Sequence, residues 1–259
     1  MLFSALNSLW AIFLVYKYVP DRPVSPDKSE SVRGYSFVRS KSYLLSTSIY
    51  VCAAFAQYWY KAILALWVRL DRSKGGLGWD SELNPGLMNG LSGVFLLFFP
   101  MLFTSRIQVK FGLRGGFVLL AFLHVVPLCI ISYGYYLTDI WLMVFLILNN
   151  GLVNAFTTVL MSYSSIAISN SVHGSVAGAA IGMAQAFSAL GRAIGNGAGS
   201  NSFGYLQSKD FGFPFDFHLT YFFTALVMLA MGGIMRFMLD EGIEKRKVSQ
   251  VEIPLIKKE

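Results

Sequence analysis

Lys61 and Arg192 are the two ionisable basic side chains that stand deep inside long apolar runs of this 259-residue chain. A charge placed in hydrocarbon is costly unless it faces a cavity, a partner or the interface, so such residues are candidates for function. Lys61 shares a helical face with Gln57, four residues earlier, and with Tyr50 and Ala54 further up. Arg192 follows Gln185 and Ser188 at helical intervals. Cations flanked by amides and hydroxyls bind rather than cut, and this set would suit an anionic or carboxylate-bearing solute. Two structural readings stand beside that one. The Lys61 ammonium can snorkel towards the interface near Trp67, and the Arg192 guanidinium can bond backbone carbonyls or close against another helix.

A second polar set, Asn150, Asn154, Thr157 or Thr158, Met161 and Ser165, recurs at helical spacing, with Asn89 and Ser92 as weaker members on another run. Such a stripe either lines a watery path or bonds to neighbouring helices. No acidic residue lies deep in an apolar run, and His124 is the one nearby titratable group. A lone His on an apolar face is more often a packing residue than a proton relay. Cys52 and Cys129 lack any metal or disulfide spacing and read as core residues. There is no nucleophile elbow, phosphate loop or zinc-protease motif, so the sequence gives no enzyme, metal or cofactor.

The elements that must position these residues are helices in a bilayer. Hydrophobic residues make up 55%, charged residues 14%, and the mean hydropathy is +0.55. That composition leaves too little polar surface for a soluble domain of this length. Seven stretches, 1–19, 43–67, 86–105, 115–137, 139–165, 174–200 and 215–238, each approach the ~20 residues a spanning helix needs. The expected fold is therefore an all-α integral membrane protein of about seven transmembrane helices. Residues 20–42 read as a polar linker with Pro20, Pro23 and Pro26, and 239–259 as a polar tail. The first stretch lacks the basic start and small-residue cleavage site of a signal peptide and reads as a span.

The net charge of +7 and pI of 9.4 do not indicate nucleic acid, because the basic residues lie in short connections between apolar runs. They segregate instead. Lys17, Arg22, Lys28, Arg33, Arg39 and Lys41, then Arg106, Lys110 and Arg114, then Arg236, Lys245, Arg246, Lys247, Lys257 and Lys258 fall on one side. Arg69, Arg72, Lys74 and Lys209 fall on the other, among Asp71, Asp80 and Glu82. Positive charge marks the cytoplasmic side, which predicts a cytoplasmic linker, 106–114 loop and C-terminus. The glycine pairs Gly178 and Gly182, Gly191 and Gly195, and Gly195 and Gly199 are each four apart, a spacing that lets helix backbones approach closely.

Three stretches resemble a known family. The loop with Arg106, Lys110, Gly112 and Arg114 is similar to the second-half copy of a basic, glycine-containing loop of the major facilitator superfamily, where it forms a cytoplasmic latch. Ser169-Asn170-Ser171-Val172, Gly178-Ala179-Ala180-Ile181-Gly182 and Ala189-Leu190-Gly191-Arg192-Ala193-Ile194-Gly195 look like the penultimate helix of zinc-induced-facilitator-like transporters and their fungal relatives. Leu66-Trp67, Lys74-Gly75-Gly76-Leu77-Gly78-Trp79 and Asn84-Pro85-Gly86 look like that family's first outer loop of the C-terminal half. The chain departs from the family pattern at Ala177, Ile181 and Asn196, where Arg, Asn and Pro are usual.

The resemblance implies helix six, a central linker, and helices seven to twelve of a twelve-helix transporter, the chain being a partial polypeptide. It implies transmembrane transport of a small organic solute by alternating access, with Gln57, Lys61, Asn150, Asn154, Gln185 and Arg192 as cavity residues. The lipid bilayer and a small-molecule solute are the expected partners, with a second transporter half or a homo-oligomer completing the cavity. The alternative is a non-transporting membrane scaffold or regulatory half-transporter acting with a partner bundle. Such relatives occur in plasma and vacuolar membranes, between which the sequence does not choose.

Overall fold

A computed structural model describes residues 36–209, 211–239 and 243. The expected first span 1–19, most of the linker and most of the tail lie outside the described residues. Five α-helices follow a short 3-10 turn at Ser36–Arg39: α1 (Lys41–Trp67), α2 (Leu83–Ile130), α3 (Asp139–Ser171), α4 (Ala177–Lys209) and α5 (His218–Phe237). Among the described residues there is no strand.

Helix α2 is the element that differs most from expectation. Its 48 residues cover the runs expected as separate spans 86–105 and 115–137, and the helix continues through 106–111, where a loop was expected. The break is confined to Gly112, whose φ of 71° and ψ of 179° suit a residue without Cβ. The chain reverses there. Ser92 donates to the Ile147 carbonyl and Tyr163 to that of Thr104, so residues 83–111 run parallel to α3. A Cβ on Gly116 would meet Tyr163 and one on Gly134 would meet Phe145, so the part after Gly112 runs antiparallel to α3. Helix α2 is thus a hairpin with both arms on α3. Residues 131–136, expected as the end of a span, form a 3-10 turn.

Helix α1 matches its expected span 43–67 almost residue for residue. It ends in a turn closed by Gly75 at φ 81°, whose carbonyl accepts the Trp67 indole N–H at 3.0 Å. Asp71 caps the same turn by accepting from the Ser73 amide at 3.0 Å, and that bond holds its carboxyl below the usual range. Helix α4 starts at Ala177 and runs past the expected end at 200 to Lys209, while α5 starts at His218 rather than at 215.

By length and composition four helical stretches can cross a membrane: Lys41–Trp67, Leu83–Tyr136, Asp139–Ser171 and His218–Phe237. Helix α4 is long enough at 33 residues, but its glycines, serines and asparagines keep it less apolar than the others. The core gathers Ile63, Trp67, Phe117, Leu120, Leu160, Tyr163, Tyr221 and Met228 from α1, α2, α3 and α5. Large apolar side chains such as Leu97, Phe98, Phe122, Trp141, Ile194 and Phe237 remain exposed on the outside. Spread over the flanks of long apolar helices, they suit hydrocarbon as solvent.

Candidate functional site

Helices α1, α2 and α3 leave a cleft of ≈ 470 Å³ between them, lined by Lys61, Leu64, Met88, Asn89, Asn150 and Asn154 among others. Three of the expected cavity residues therefore meet: Lys61, Asn150 and Asn154. Asn89, a weaker member of the polar set, joins them. Arg69 and Glu82 also line the cleft and form an ion pair with each other. Both are exposed, which makes the pair worth little as stability.

Asn150 is the hub of the cleft floor. Its Oδ1 accepts from the Tyr60 hydroxyl at 3.2 Å and from Asn154 Nδ2 at 2.9 Å, while its own Nδ2 donates to Asn89 Oδ1 at 3.2 Å. Asn154 Nδ2 also reaches the Asn150 carbonyl at 2.8 Å, one helical turn back. One amide thus ties α1, the first arm of α2 and α3 together at one level. Tyr60 was not singled out in the sequence, where a tyrosine within an apolar run reads as core. It is core, fully buried, with its phenol end supplying the bond.

Further along α3 the polar stripe resolves at Thr158 rather than Thr157. Thr157 is buried, donating to the Val153 carbonyl at 2.8 Å and lying 3.4 Å from His124 Nε2. Thr158 and Ser165 are half-buried and donate to carbonyls of their own helix, at Asn154 and Met161. His124 is buried against Thr157 and the edge of Phe156, a packing position.

Lys61 is exposed on the cleft side, and its ammonium lies 5.2 Å from the centre of the Tyr58 ring. The Arg192 guanidinium stands 5.9 Å from the same ring. The sequence reading missed Tyr58, which brings the two candidate cations together; the two charges are at most about 11 Å apart. Arg192 is half-buried and held by its own helix, donating to the Ser188 carbonyl at 3.3 Å and the Ser188 hydroxyl at 3.2 Å. It does not line the cleft. Neither do Gln57, half-buried on α1, nor Gln185, exposed on α4.

The basic loop divides. Arg106 and Lys110 are exposed on the last turns before Gly112. Arg114, expected as a third latch cation, is buried, and its guanidinium donates to the carbonyls of Met235 and Arg236. It caps the C-terminus of α5, where the helix dipole favours a cation. The glycines divide as well. Cβ atoms on Gly191, Gly195 and Gly199 would stand 3.0, 2.4 and 2.9 Å from the carbonyl oxygens of Val51, Phe55 and Trp59. Around Gly178 and Gly182, expected to pack in the same way, nothing among the described residues lies within 4 Å, because both face away from α1. Asn170, in a motif read for its resemblance, is buried and donates to the Ile243 carbonyl at 2.8 Å.

This arrangement can bind a polar solute. It offers an ammonium, amide donors and acceptors, and apolar walls. Among the described residues no group of His, Cys, Asp or Glu could hold a metal ion. Helix length and hydropathy make the protein an integral, multi-pass α-helical membrane protein. Against protein-family models, curated proteins and solved structures, the chain has no match.

Proposed function

We propose that this chain works as the C-terminal half of a major-facilitator-type transporter that moves a small, anionic organic solute by alternating access. The observation that carries the proposal is the cleft in which Lys61 meets Asn89, Asn150 and Asn154 between three apolar helices. An exposed cation beside a satisfied amide network suits reversible solvation of an anion, since the network holds its shape whether or not the solute is present. The resemblance of the 106–114 loop, the Ser169–Gly195 stretch and the Leu66–Gly86 stretch to that superfamily supports the architecture. So does the hairpin at Gly112, which supplies two antiparallel crossings from one helical run. On this reading the basic end is cytoplasmic and the exposed face of α4 meets the other half of the transporter.

The test is uptake of labelled mono- and dicarboxylates into vesicles carrying the full chain, alone and co-expressed with a candidate N-terminal bundle. Lys61→Ala is expected to abolish saturable uptake and Lys61→Arg to keep part of it. Uptake unaffected by Lys61→Ala would overturn the cleft assignment. Absence of uptake in every combination, with a stable complex between the halves, would favour the regulatory half-transporter.

A further inference from the structure

A second concavity lies on the opposite side of α1 from the cleft. Helices α4 and α5 each lean on α1 and touch one another only sparingly. The furrow between them, ≈ 500 Å³, is floored by Trp59 and walled by Ser202 and Leu206 on α4 and by Leu219, Thr220 and Phe223 on α5. Asn201 and Tyr205 border it as well, and the two polar groups of its floor and α5 wall are engaged with the protein. The Trp59 indole donates to the Thr220 carbonyl at 3.2 Å, and the Thr220 hydroxyl donates to the Phe217 carbonyl at 2.5 Å. The surface presented is therefore mainly aromatic and aliphatic, with Leu219 and Phe223 exposed.

The furrow continues, through Leu206 and Leu219, into a smaller concavity of ≈ 320 Å³ beside Phe211 and Phe215. That end lies where α4 finishes, and Lys209 is there, its ammonium 5.8 Å from the ring centre of Tyr205. Ser202 is seven residues before Lys209, which places the depth of the furrow about 10 Å from the Lys209 backbone along α4. Exposed Tyr205, Phe211, Phe213 and Phe215 surround the same level, and clustered aromatics with a lysine mark the headgroup region of a bilayer. The furrow is thus a trough three-sided in protein, opening on the hydrocarbon, with Lys209 at its interfacial end, where the nearby Asp216 is engaged by His218 at 2.7 Å.

We propose that this furrow is a lipid site that takes one acyl chain of an anionic phospholipid, with the headgroup phosphate on Lys209. The acyl chain lies on Trp59 between Leu206 and Leu219, touched from three sides where a convex helix face would touch it from one. Lys209 stands at the non-cytoplasmic end by the charge pattern, and there it selects by Coulomb attraction whichever lipid of that leaflet carries a net negative headgroup. The proposal depends on the membrane setting of the helices and is independent of whether the cleft on the other side of α1 transports a solute.

Trp59 makes the site readable. The full-length chain is reconstituted in phosphatidylcholine vesicles with a minor share of phosphatidylglycerol, the acyl chains brominated in one lipid or the other. The Trp59 contribution is the difference between wild type and Trp59→Phe. At equal bromine content, brominated phosphatidylglycerol is expected to quench this contribution at least twofold more than brominated phosphatidylcholine. Lys209→Gln should erase the difference, and Leu219→Phe, which fills the furrow, should reduce quenching by both lipids, while Leu219→Met should leave it. Equal quenching by the two lipids in the wild type, or a preference that survives Lys209→Gln, would overturn the proposal. Lys209 is exposed at a helix end, so its replacement leaves the fold intact and that arm decides even if Leu219→Phe fails to fold.

Discussion

Gly195 lies so close to Phe55 that a Cβ on the glycine would stand 2.4 Å from the phenylalanine carbonyl oxygen. The contact is backbone to backbone, so no side-chain rotation can relieve an added methyl. With Gly191 and Gly199 it forms the seam along which α1 and α4 pack. The buried face of α4 continues that seam with Ala180, Ala184 and Ser188. Small residues allow this approach because helices in lipid gain their association from close packing rather than from the hydrophobic effect.

Gly195→Ala should destabilise the bundle by about 1–3 kcal/mol, the usual cost of overpacking. Gly178→Ala and Gly182→Ala add their methyls in open space and remove a glycine from a helix, which favours the folded state by roughly 0.5–1 kcal/mol. Thermal melting of the three variants in mild detergent should therefore split them, Gly195→Ala below wild type and the other two at or above it. Three variants with the same melting temperature would contradict the seam.

Asn150 should prove the costliest single amide to remove. Its loss leaves the Tyr60 hydroxyl, Asn154 and Asn89 without their shared partner, and an orphaned buried polar group costs about 1–3 kcal/mol. Tyr60→Phe removes one bond and should cost less, about 0.6–1.7 kcal/mol on the scale of interhelical bonds in membranes. Measured by reversible unfolding in detergent mixtures, Asn150→Ala combined with Tyr60→Phe should cost less than the sum of the singles. Strict additivity would mean the two side chains are not coupled.

How far the sequence reaches can be judged from individual residues. The apolar runs located α1 closely, because its boundaries coincide with a change from charge to hydrocarbon-compatible residues at Lys41 and with the glycine-rich turn after Trp67. The 106–111 stretch was misread as loop because charges interrupt the apolar pattern there, yet nothing breaks a helix before Gly112. Spacing of small residues could not separate Gly182 from Gly195, since periodicity says that glycines share a face but not which face meets a neighbour. Arg114 reads in the sequence as one more loop cation, and only the fold shows that the end of α5 arrives beside it. Tyr58 and Tyr60 carried no signal of their own among the many aromatics of the chain.

The burial of Arg114 separates it from its neighbours in the loop. Arg114→Ala removes a cation from the last carbonyls of α5 and should cost about 1–2 kcal/mol, the range for a partly buried charge at a helix C-terminus. Arg106→Ala and Lys110→Ala act on exposed side chains and should stay within ~0.5 kcal/mol of wild type. Hydrogen exchange gives a local readout, with faster exchange in the last turns of α5 expected for Arg114→Ala alone. Equal protection of α5 in all three variants would remove the capping role.

The charges at the two ends of the bundle make a prediction about sidedness. Arg39, Lys41, Arg106, Lys110 and Arg236 lie at one end, without an acidic residue beside them among the described residues. Arg69, Arg72 and Lys74 lie at the other, where Asp71, Asp80 and Glu82 offset them. Arg72 donates to the Leu137 carbonyl at 2.7 Å, which joins the α1–α2 and α2–α3 connections at that end. Because Lys and Arg are retained on the cytoplasmic side during insertion, Lys110→Cys should react with a membrane-impermeant maleimide only after the cells are opened. Lys74→Cys should react in intact cells or in the lumen of the organelle that holds the protein. Cys52 and Cys129 are half-buried in the packed helices and are replaced by alanine beforehand, so that the introduced thiol alone reports. Labelling of both sites from the same side would contradict the orientation and the crossing by residues 83–111, since it is that arm of α2 that puts the end of α1 and Lys110 at opposite ends.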